Sequence, residues 1–207
     1  FTKDLTVDFR GTFTYTQNKY IDVDEPIYPY VWQTATGKPL NRRNGYIAEG
    51  LFQSQEEIDN SPTQNLGSKP MPGDIKYRDV DGNGVIDSKD QVMISKTANM
   101  PRIQYGFGVN IDWKRFNFGV FFNGSAMRDI NINGLHPFGQ NDYNAMKFVA
   151  ENRWTEANPN PNAEYPRLGL NDSQMSNNSQ SSTYWIRNGN FLRFKTLEIG
   201  YRFDHVR

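Results

Sequence analysis

Apolar and polar residues alternate in four stretches of the chain, which is the pattern of a β-strand with one apolar and one polar face. The first stretch runs from Leu5 to Tyr15, and the second runs from Ile103 to Trp113. The third begins at Phe116, and the fourth reaches from Leu197 to Phe203. We therefore predict four strands, near residues 5–16, 102–113, 116–127 and 190–204.

Two local features of the sequence add detail to the prediction of these strands. Only Lys114-Arg115 separates the second stretch from the third, which predicts a hairpin with a two-residue turn. Before the fourth stretch, Leu192 and Phe194 fall in the opposite parity to the apolar residues that follow. An extra residue in one strand produces such a change, so a β-bulge is expected near Lys195 or Thr196.

The other residues form two long connections, 17–101 and 128–189. Strands of about ten residues match the height of a membrane barrel wall, and outer-membrane barrels have short turns at one end and long loops at the other. The predicted fold class is therefore all-β: about four antiparallel strands of a transmembrane β-barrel, with long extracellular loops that contain short helices. A soluble β-sandwich also has alternating strands, usually of about five or six residues, and the alternation alone leaves it open.

The long connections carry local signals of their own. Ser54-Gln55-Glu56-Glu57 has the spacing of a capping box and predicts the start of a short helix. Asn141 is a suitable first residue for another helix, predicted over 142–154. The polar run from Ser176 to Ser182 predicts a mobile tip on the surface.

Residues 79–90 have the spacing of an EF-hand-type calcium loop, with Gly84 at the position of the sharp turn. The predicted ligands are the side chains of Asp79, Asp81, Asn83, Asp87 and Asp90, at loop positions 1, 3, 5, 9 and 12, and the backbone carbonyl of Val85 at position 7. Carboxylates converge in this way when a cation neutralises them, so Ca²⁺ is the expected ion. Mg²⁺ stays open, because Asp90 is one methylene shorter than the usual glutamate. An acidic turn without an ion is the alternative interpretation.

The segments on either side of this loop, 76–78 and 91–94, have the character of extended chain rather than of long amphipathic helices. A calcium sensor works by opening a pair of flanking helices. The sequence therefore favours a structural clip over a sensor.

Composition narrows the possible functions. Aromatic residues make up 14% of the chain although hydrophobic residues make up only 36%, an imbalance that favours β structure. The 23 basic and 23 acidic residues cancel, which gives no reason to expect nucleic acid as a partner. The chain contains no cysteine, so disulfides, thiol nucleophiles and thiolate metal sites are excluded.

No arrangement of residues in the sequence predicts catalysis. Glu56 and Glu57 are adjacent, so their carboxylates do not face a common cleft as glycoside hydrolysis requires. His136 and His205 have no serine, cysteine or metal-binding partner at a suitable spacing. We therefore expect a protein that is not an enzyme.

Several phrases occur in a characteristic order. They are Tyr46-Ile47-Ala48-Glu49-Gly50-Leu51-Phe52-Gln53-Ser54; Pro72-Gly73-Asp74-Ile75-Lys76-Tyr77-Arg78-Asp79 with the acidic loop; Tyr105-Gly106-Phe107-Gly108; Asn152-Arg153-Trp154-Thr155; Tyr165-Pro166-Arg167-Leu168; and Phe191-Leu192-Arg193-Phe194-Lys195 with Leu197-Glu198-Ile199-Gly200-Tyr201. From about residue 5 to residue 203, the chain thereby resembles the C-terminal barrel region of SusC/RagA-type TonB-dependent outer-membrane transporters.

The resemblance implies that residues 1–207 are part of a barrel in the outer membrane of a Gram-negative, Bacteroidetes-like bacterium. Family members have an N-terminal plug and a TonB box, neither of which is expected in this chain. The implied partners are a SusD-like lid lipoprotein, the TonB complex, an oligosaccharide or peptide substrate, and the lipid bilayer. The alternative function is a secreted, calcium-stabilised β-sandwich module that binds carbohydrate.

Overall fold

The computed structural model describes residues 4–98, 100–133, 144–170 and 172–203. These residues divide into two compact units, which are described separately. The sheet unit takes its residues from Phe1–Asn18, Asn99–Ile130 and Asn188–Arg207. The loop unit takes its residues from Lys19–Ala98 and Asn131–Arg187, so the two long connections build it together.

In chain order the strands are β1 (Leu5–Tyr15), β2 (Arg43–Gly45), β3 (Ala48–Leu51), β4 (Thr63–Gln64), β5 (Ile75–Tyr77), β6 (Val85–Ile86), β7 (Val92–Ser95), β8 (Ile103–Trp113), β9 (Phe116–Ala126), β10 (Asp129–Asn131), β11 (Ile186–Asn188) and β12 (Phe191–Tyr201). The α-helices are α1 (Gln55–Asp59), α2 (Lys147–Asn152) and α3 (Asp172–Met175). Short 3-10 turns lie at Val31–Gln33, Ser88–Asp90 and Thr183–Trp185. Within the described ranges, no helix is both long and apolar enough to cross a bilayer.

The sheet unit contains an antiparallel sheet with the strand order β1-β8-β9-β12. Each of these strands has 11 residues, and the prediction of an all-β, antiparallel fold is confirmed. The observed bounds lie within a few residues of the predicted ones. The largest difference is at the end of β12, which stops at Tyr201 rather than near residue 204. Tyr201 lies opposite Phe116, the first residue of β9, and beyond it the N–H of Arg202 still donates to the carbonyl of Arg115 in the tight turn at 2.8 Å.

Both predicted local features of the sheet are present. Lys114 has a φ of +55°, which places a non-glycine residue in the left-handed region at the tight turn between β8 and β9. The register between β9 and β12 shifts between Phe194 and Thr196, so the β-bulge near Lys195 is confirmed.

The register brings the apolar residues of the four strands into common rows. Phe9 lies opposite Val109, Val109 lies opposite Val120, and Val120 lies opposite Leu197. The neighbouring rows are Leu5/Trp113/Phe116/Tyr201, Val7/Ile111/Phe118/Ile199 and Gly11/Phe107/Phe122/Phe194. One face of the sheet is therefore a continuous apolar surface, four strands wide.

This apolar face is exposed. Phe9, Phe13 and Ile199 are 73%, 70% and 75% exposed. Apolar surface left in water costs about 25 cal/mol per Å², and soluble monomers rarely expose a patch of this extent. A β-sandwich would cover the face with a second sheet, and the described residues of the sheet unit form no such layer. The sandwich alternative therefore does not fit the fold.

The loop unit has a hydrophobic core of its own. Ile75, Tyr77 and Ile86 come from the first long connection and are at most 2% exposed. Met175 and Trp185 come from the second connection and are 0% exposed. Because both connections contribute to one core, neither is an independent flexible loop.

One edge of β5 pairs with β3. At the other edge, inside this core, side-chain amides form the hydrogen bonds that the backbone of β5 needs. The amide of Gln64 accepts a hydrogen bond from the N–H of Tyr77 at 2.6 Å and donates one to the carbonyl of Ile75 at 3.0 Å. Oδ1 of Asn178 accepts from the N–H of Ile75 at 2.8 Å. These amides take the place of a neighbouring strand and remove the cost of burying unpaired backbone groups.

The prediction of a mobile tip over 176–182 is wrong. Asn177 and Asn178 are 0% exposed, and Ser182 is 1% exposed. Asn177 donates to the carbonyl of Ile75 at 2.9 Å and accepts from Gln64 at 2.7 Å. The run is polar because the buried edge of β5 needs hydrogen-bonding partners, and not because the segment faces water.

The helices agree with the sequence in part. Ser54 accepts from the N–H of Glu57 at 3.1 Å and begins α1, as the capping box predicts. The carboxylate of Glu57 returns to the N–H of Gln53 at 2.8 Å, one residue before the cap. The helix predicted over 142–154 is shorter, since α2 spans Lys147–Asn152. Asn141, its predicted first residue, lies outside the described residues.

Candidate functional site

The acidic loop, residues 79–90, connects β5 to β7 in the loop unit. Its second half contains β6, which pairs in parallel with β4, and then the 3-10 turn Ser88–Asp90. Gly84 has a φ of +85°, the left-handed conformation that the sharp turn requires and that glycine adopts without steric cost. Strands flank the loop on both sides, so the extended flanks that the sequence predicts are confirmed.

Three of the predicted ligands converge. Asp79, Asp81 and Asp90 each offer a carboxylate oxygen within 4.8 Å of the others. Asp90 is 0% exposed, and its two oxygens accept from the N–H groups of Val80 at 2.7 Å and Asp87 at 2.8 Å. A carboxylate has about four acceptor sites, so these contacts leave lone pairs for a further ligand. Like charges at this separation are stabilised by a cation between them.

Backbone hydrogen bonds fix the charge state of Asp79. Burial acts to raise the pKa of Asp79, but the N–H groups of Gly84, Gly82 and Asn83 outweigh it and hold that pKa below its usual range. The N–H groups of Gly84 and Gly82 each lie 2.7 Å from a carboxylate oxygen of Asp79. The carboxylate is therefore ionised at neutral pH, which is the state that a cation ligand requires.

The other three predicted ligands make different contacts. Oδ1 of Asp87 accepts from the N–H of Lys89 at 2.7 Å and caps the 3-10 turn. Oδ1 of Asn83 accepts from the N–H of Val85 at 2.7 Å, while its amide nitrogen donates to Asp81 at 3.0 Å. The structure thus brings together three of the four predicted carboxylates, while Asp87, Asn83 and the N–H of Val85 make hydrogen bonds that shape the loop.

Two aromatic residues hold the acidic loop from outside, and sequence reasoning missed these contacts. The hydroxyl of Tyr30 donates to Oδ2 of Asp81 at 2.9 Å, and Nε1 of Trp32 donates to the carbonyl of Lys89 at 2.8 Å. The two rings are stacked, with centroids 4.4 Å apart and planes 7° apart. The hydrogen bond to Asp81 raises the pKa of Tyr30. Tyr30 and Asp81 are 51 positions apart, so no local pattern links them.

Comparison with known proteins identifies relatives of this chain. No family model matches the chain. It is 30% identical over 154 residues to the TonB-dependent receptor P26 of Formosa agariphila, and the match covers 73% of this chain and 14% of the receptor. It is 26% identical over 221 residues to the TonB-dependent receptor SusC of Bacteroides thetaiotaomicron, which covers 99% of this chain and 19% of SusC.

Solved structures give the same picture at the level of the fold. The chain superposes on the RagAB peptide transporter with a TM-score of 0.62 at 17% identity, over 96% of this chain and 20% of that chain. It superposes on the RagAB peptide importer in the closed-closed state with a TM-score of 0.60 at 18% identity, over 97% of this chain and 21% of that chain.

The chain belongs to the TonB-dependent receptors, and its likeness to SusC agrees with the predicted SusC/RagA type. Receptors of this type are outer-membrane proteins of Bacteroidetes, so the predicted localisation is confirmed. The chain spans between 14% and 19% of the length of the curated relatives described above.

The relatives of this chain are named as receptors, and the solved structure that it resembles is named as a transporter, rather than as enzymes. Glu56 and Glu57, the carboxylate pair considered for hydrolysis, lie in the first turn of α1. Glu57 is used there to bind the N–H of Gln53 and the ammonium group of Lys76, at 2.8 and 3.1 Å. His136 and His205 lie outside the described residues.

The receptor's four long strands carry aromatic residues near their ends. At the edge with the tight turn, Trp113 stacks on Phe116 with centroids 6.3 Å apart, and Phe116 meets Tyr201 at 4.9 Å. Tyr15 lies at the opposite edge and is 50% exposed. Aromatic belts of this kind mark the two interfaces of a membrane barrel.

Proposed function

We propose that this chain supplies four adjacent wall strands and two extracellular loop segments of a TonB-dependent importer. The apolar face of the sheet meets lipid, and the polar face lines the water-filled interior. The observation that carries the proposal is the exposed apolar face four strands wide. Hydrocarbon tails cover such a face without cost, and the hydrogen-bonded ladders satisfy the backbone in lipid.

The length of the strands supports a membrane location. Eleven residues per strand, at about 3.3 Å per residue and a tilt of about 45°, rise roughly 25 Å along the membrane normal. The apolar band of an outer-membrane barrel is about 25 Å tall. The strands are therefore long enough to cross the bilayer once each.

The cargo in this proposal is an oligosaccharide or a peptide. It is captured with a SusD-like lid lipoprotein, and the TonB complex supplies the energy for its entry. The support for these partners is the likeness of the chain to SusC and to the RagAB peptide transporter. Residues 16–102 and 127–190 leave the sheet at the edge opposite the tight turn, which is the extracellular edge if short turns face the periplasm.

Surface labelling tests this topology. Single cysteines at Asn83, Ser179 and Lys114 are introduced into a cysteine-free form of the full-length protein, and intact cells are treated with an impermeant maleimide. We expect Asn83→Cys and Ser179→Cys to react and Lys114→Cys to react only after the outer membrane is opened. The reverse pattern would show that the loop unit faces the periplasm.

We also propose that the acidic loop is a Ca²⁺ clip, with Asp79, Asp81 and Asp90 as its core ligands. The donor set fits the ion, because Ca²⁺ prefers hard oxygen ligands and neutralises clustered carboxylates. A bound cation would join the start of the loop to its end, where Asp90 is buried. The ion would therefore stiffen the loop unit rather than open a groove, because strands flank the loop on both sides.

Limited proteolysis tests the clip in the full-length protein. Calcium should protect the segment 79–90 from cleavage, and Asp81→Ala should abolish that protection. Tyr30→Phe is the matched control, because it removes the partner of Asp81 but keeps all three carboxylates. Identical digestion of the unaltered protein with calcium and with a chelator would refute the site.

A further inference from the structure

The acidic loop contains the pair Asn83-Gly84, in which hydrogen bonds hold both the asparagine side chain and the glycine backbone. Asparagine is a thermolabile residue. It is most reactive before glycine, because glycine has no Cβ to obstruct the attack of its backbone nitrogen on Cγ of the asparagine. The pair is therefore a chemically reactive point in the chain, and the fold around it decides whether it reacts.

The reaction is a deamidation, and water is its only co-reactant. A bond forms between the nitrogen of Gly84 and Cγ of Asn83, the bond from Cγ to Nδ2 breaks, and ammonia leaves with the proton of the Gly84 amide. Water then opens the cyclic imide at one of its two carbonyl carbons. One opening gives aspartate, and the other gives isoaspartate, in which the backbone runs through the former side chain.

Asp79 holds the nucleophile of this reaction. The N–H of Gly84 donates to Oδ2 of Asp79 at 2.7 Å, and the other oxygen of that carboxylate accepts from the N–H of Gly82 at 2.7 Å. A hydrogen bond to an ionised carboxylate is stronger than one to a neutral acceptor. The nitrogen of Gly84 has to leave this bond before it can attack, so the carboxylate lowers the fraction of loops that can react.

The side chain of Asn83 is held as well. Its Oδ1 accepts from the N–H of Val85 at 2.7 Å, in an Asx turn, and its Nδ2 donates to Oδ2 of Asp81 at 3.0 Å. Cγ can reach the nitrogen of Gly84 only if the side chain turns away from both partners. The hydrogen bonds that keep the reacting atoms apart thus all lie within residues 79–90, and they depend on no other part of the protein.

We propose that Asn83 is a modification site that is closed in the folded acidic loop and reactive when the loop opens, and that Asp79 keeps it closed. The loss of ammonia makes the reaction a permanent mark of an opened loop. It also replaces the amide that donates to Asp81 with a carboxylate, which adds a negative charge beside the convergent carboxylates. The inference goes beyond the proposed function, because it needs neither a lipid-facing wall nor a bound ion.

Peptide mapping of the full-length protein tests the inference. Folded protein and denatured protein are incubated in the same mildly alkaline buffer, which contains a chelator so that no bound ion contributes. Trypsin cuts after Arg78 and Lys89, so the peptide 79–89 reports Asn83 by the mass change from amide to carboxylate. We expect Asn83 to react about tenfold more slowly in the folded protein. Asp79→Ala should remove most of this difference.

Asp87→Ala is the matched control within the loop. It removes the side chain that caps the 3-10 turn, but it leaves the hydrogen bond from Gly84 to Asp79 in place. Asn83 should therefore stay protected in this variant. If Asp87→Ala speeds the reaction as much as Asp79→Ala does, the protection comes from the order of the whole loop, and the role of Asp79 is refuted.

A second Asn-Gly pair, Asn188-Gly189, is the control within the same molecule. It belongs to the sheet unit, where the N–H of Gly189 donates to the carbonyl of Arg128 at 2.8 Å. Trypsin releases it in the peptide 188–193. Its rate should be the same in the unaltered protein and in Asp79→Ala, because the substitution acts only on the acidic loop.

Two further results would overturn the inference. One is an equal rate at Asn83 in the folded and the denatured protein, and the other is a rate in Asp79→Ala that matches the unaltered protein. If Asn83 and Asn188 both react faster in Asp79→Ala, the variant has lost its fold, and Asp79→Asn decides instead. It keeps the shape of the side chain without the charge, so it should speed the reaction of Asn83 alone. An unchanged rate would overturn the inference.

Discussion

The side-chain amide of Asn178 donates a hydrogen bond to Oδ1 of Asp74 at 2.7 Å, although the two residues are 104 positions apart. Both residues are 0% exposed. Nε of Arg167 lies 2.6 Å from the same carboxylate oxygen. Burial raises the pKa of Asp74, and the pairing with Arg167 opposes that rise. A buried polar network thus joins the two long connections of the loop unit.

Asn178→Ala should destabilise the loop unit by about 2–4 kcal/mol, because it leaves the buried N–H of Ile75 without a partner and takes a donor from Asp74. Pulse proteolysis of the full-length protein in denaturant measures the change. Ser179→Ala, on an exposed neighbour, should alter stability by less than about 0.5 kcal/mol. Equal stability of the two variants would show that the network contributes nothing.

The hydrogen bond from Tyr30 to Asp81 should make the segment 20–38 sensitive to high pH. The folded-state pKa of Tyr30 is raised above 10.0. The hydrogen bond therefore stabilises the folded segment fully at pH values below the unfolded-state pKa, and this stabilisation is lost as the pH rises through the folded-state pKa. Subtilisin cleavage within the segment, followed by mass spectrometry from pH 9 to 11, should increase over that window. Tyr30→Phe should be cleaved readily at every pH, and a variant that keeps the same pH dependence would contradict the assignment.

Gly106→Ala should lower the temperature at which the barrel unfolds, because its Cβ would lie 2.8 Å from Cζ of Phe121. The expected cost is about 1–3 kcal/mol. Adding Phe121→Ala should recover part of it, since the clash is with the far end of a side chain. Gly11→Ala is the control, because its nearest neighbour is 3.8 Å away. The change in gel mobility between the folded and the heat-unfolded barrel gives the unfolding temperature of each variant. A double variant that unfolds at no higher a temperature than Gly106→Ala would refute the contact.

The predicted ligands of the proposed calcium clip should not contribute equally to its affinity for calcium. Asp81→Asn should reduce calcium affinity at least tenfold, because Asp81 is one of the three convergent carboxylates. Asp87→Asn should reduce it less, because Asp87 accepts from the N–H of Lys89 at 2.7 Å and lies outside that cluster. Calcium titration of the full-length protein, followed by protection from proteolysis, gives both values. Equal losses would mean that Asp87 also binds the ion.

The sheet could be predicted from the sequence because each strand carries its own signal. Phe9 and Ile199 alternate with polar neighbours, and the change of parity at Phe194 locates the bulge within one residue. These patterns are local, because each strand needs only one apolar face and one polar face, whatever lies against either face.

The loop unit could not be predicted in the same way, because its polar residues act over long distances. Asn177 and Asn178 have the composition of a surface loop, yet they bind β5 from about 100 positions away. The acidic loop was recognisable from its spacing alone. Its contact with Tyr30 depends on the tertiary fold, and no periodicity records it.

Spin labels at Ile199 and Glu198 test the central claim most directly. The two residues are adjacent in β12, and the register places Ile199 in an apolar row and Glu198 in a polar row. In the full-length protein in a bilayer, the label at Ile199 should be accessible to oxygen from the lipid and shielded from a water-soluble nickel chelate. The label at Glu198 should show the opposite pattern. A label at Ile199 that is shielded from both reagents, or that is reached by the nickel chelate, would contradict a lipid-facing wall.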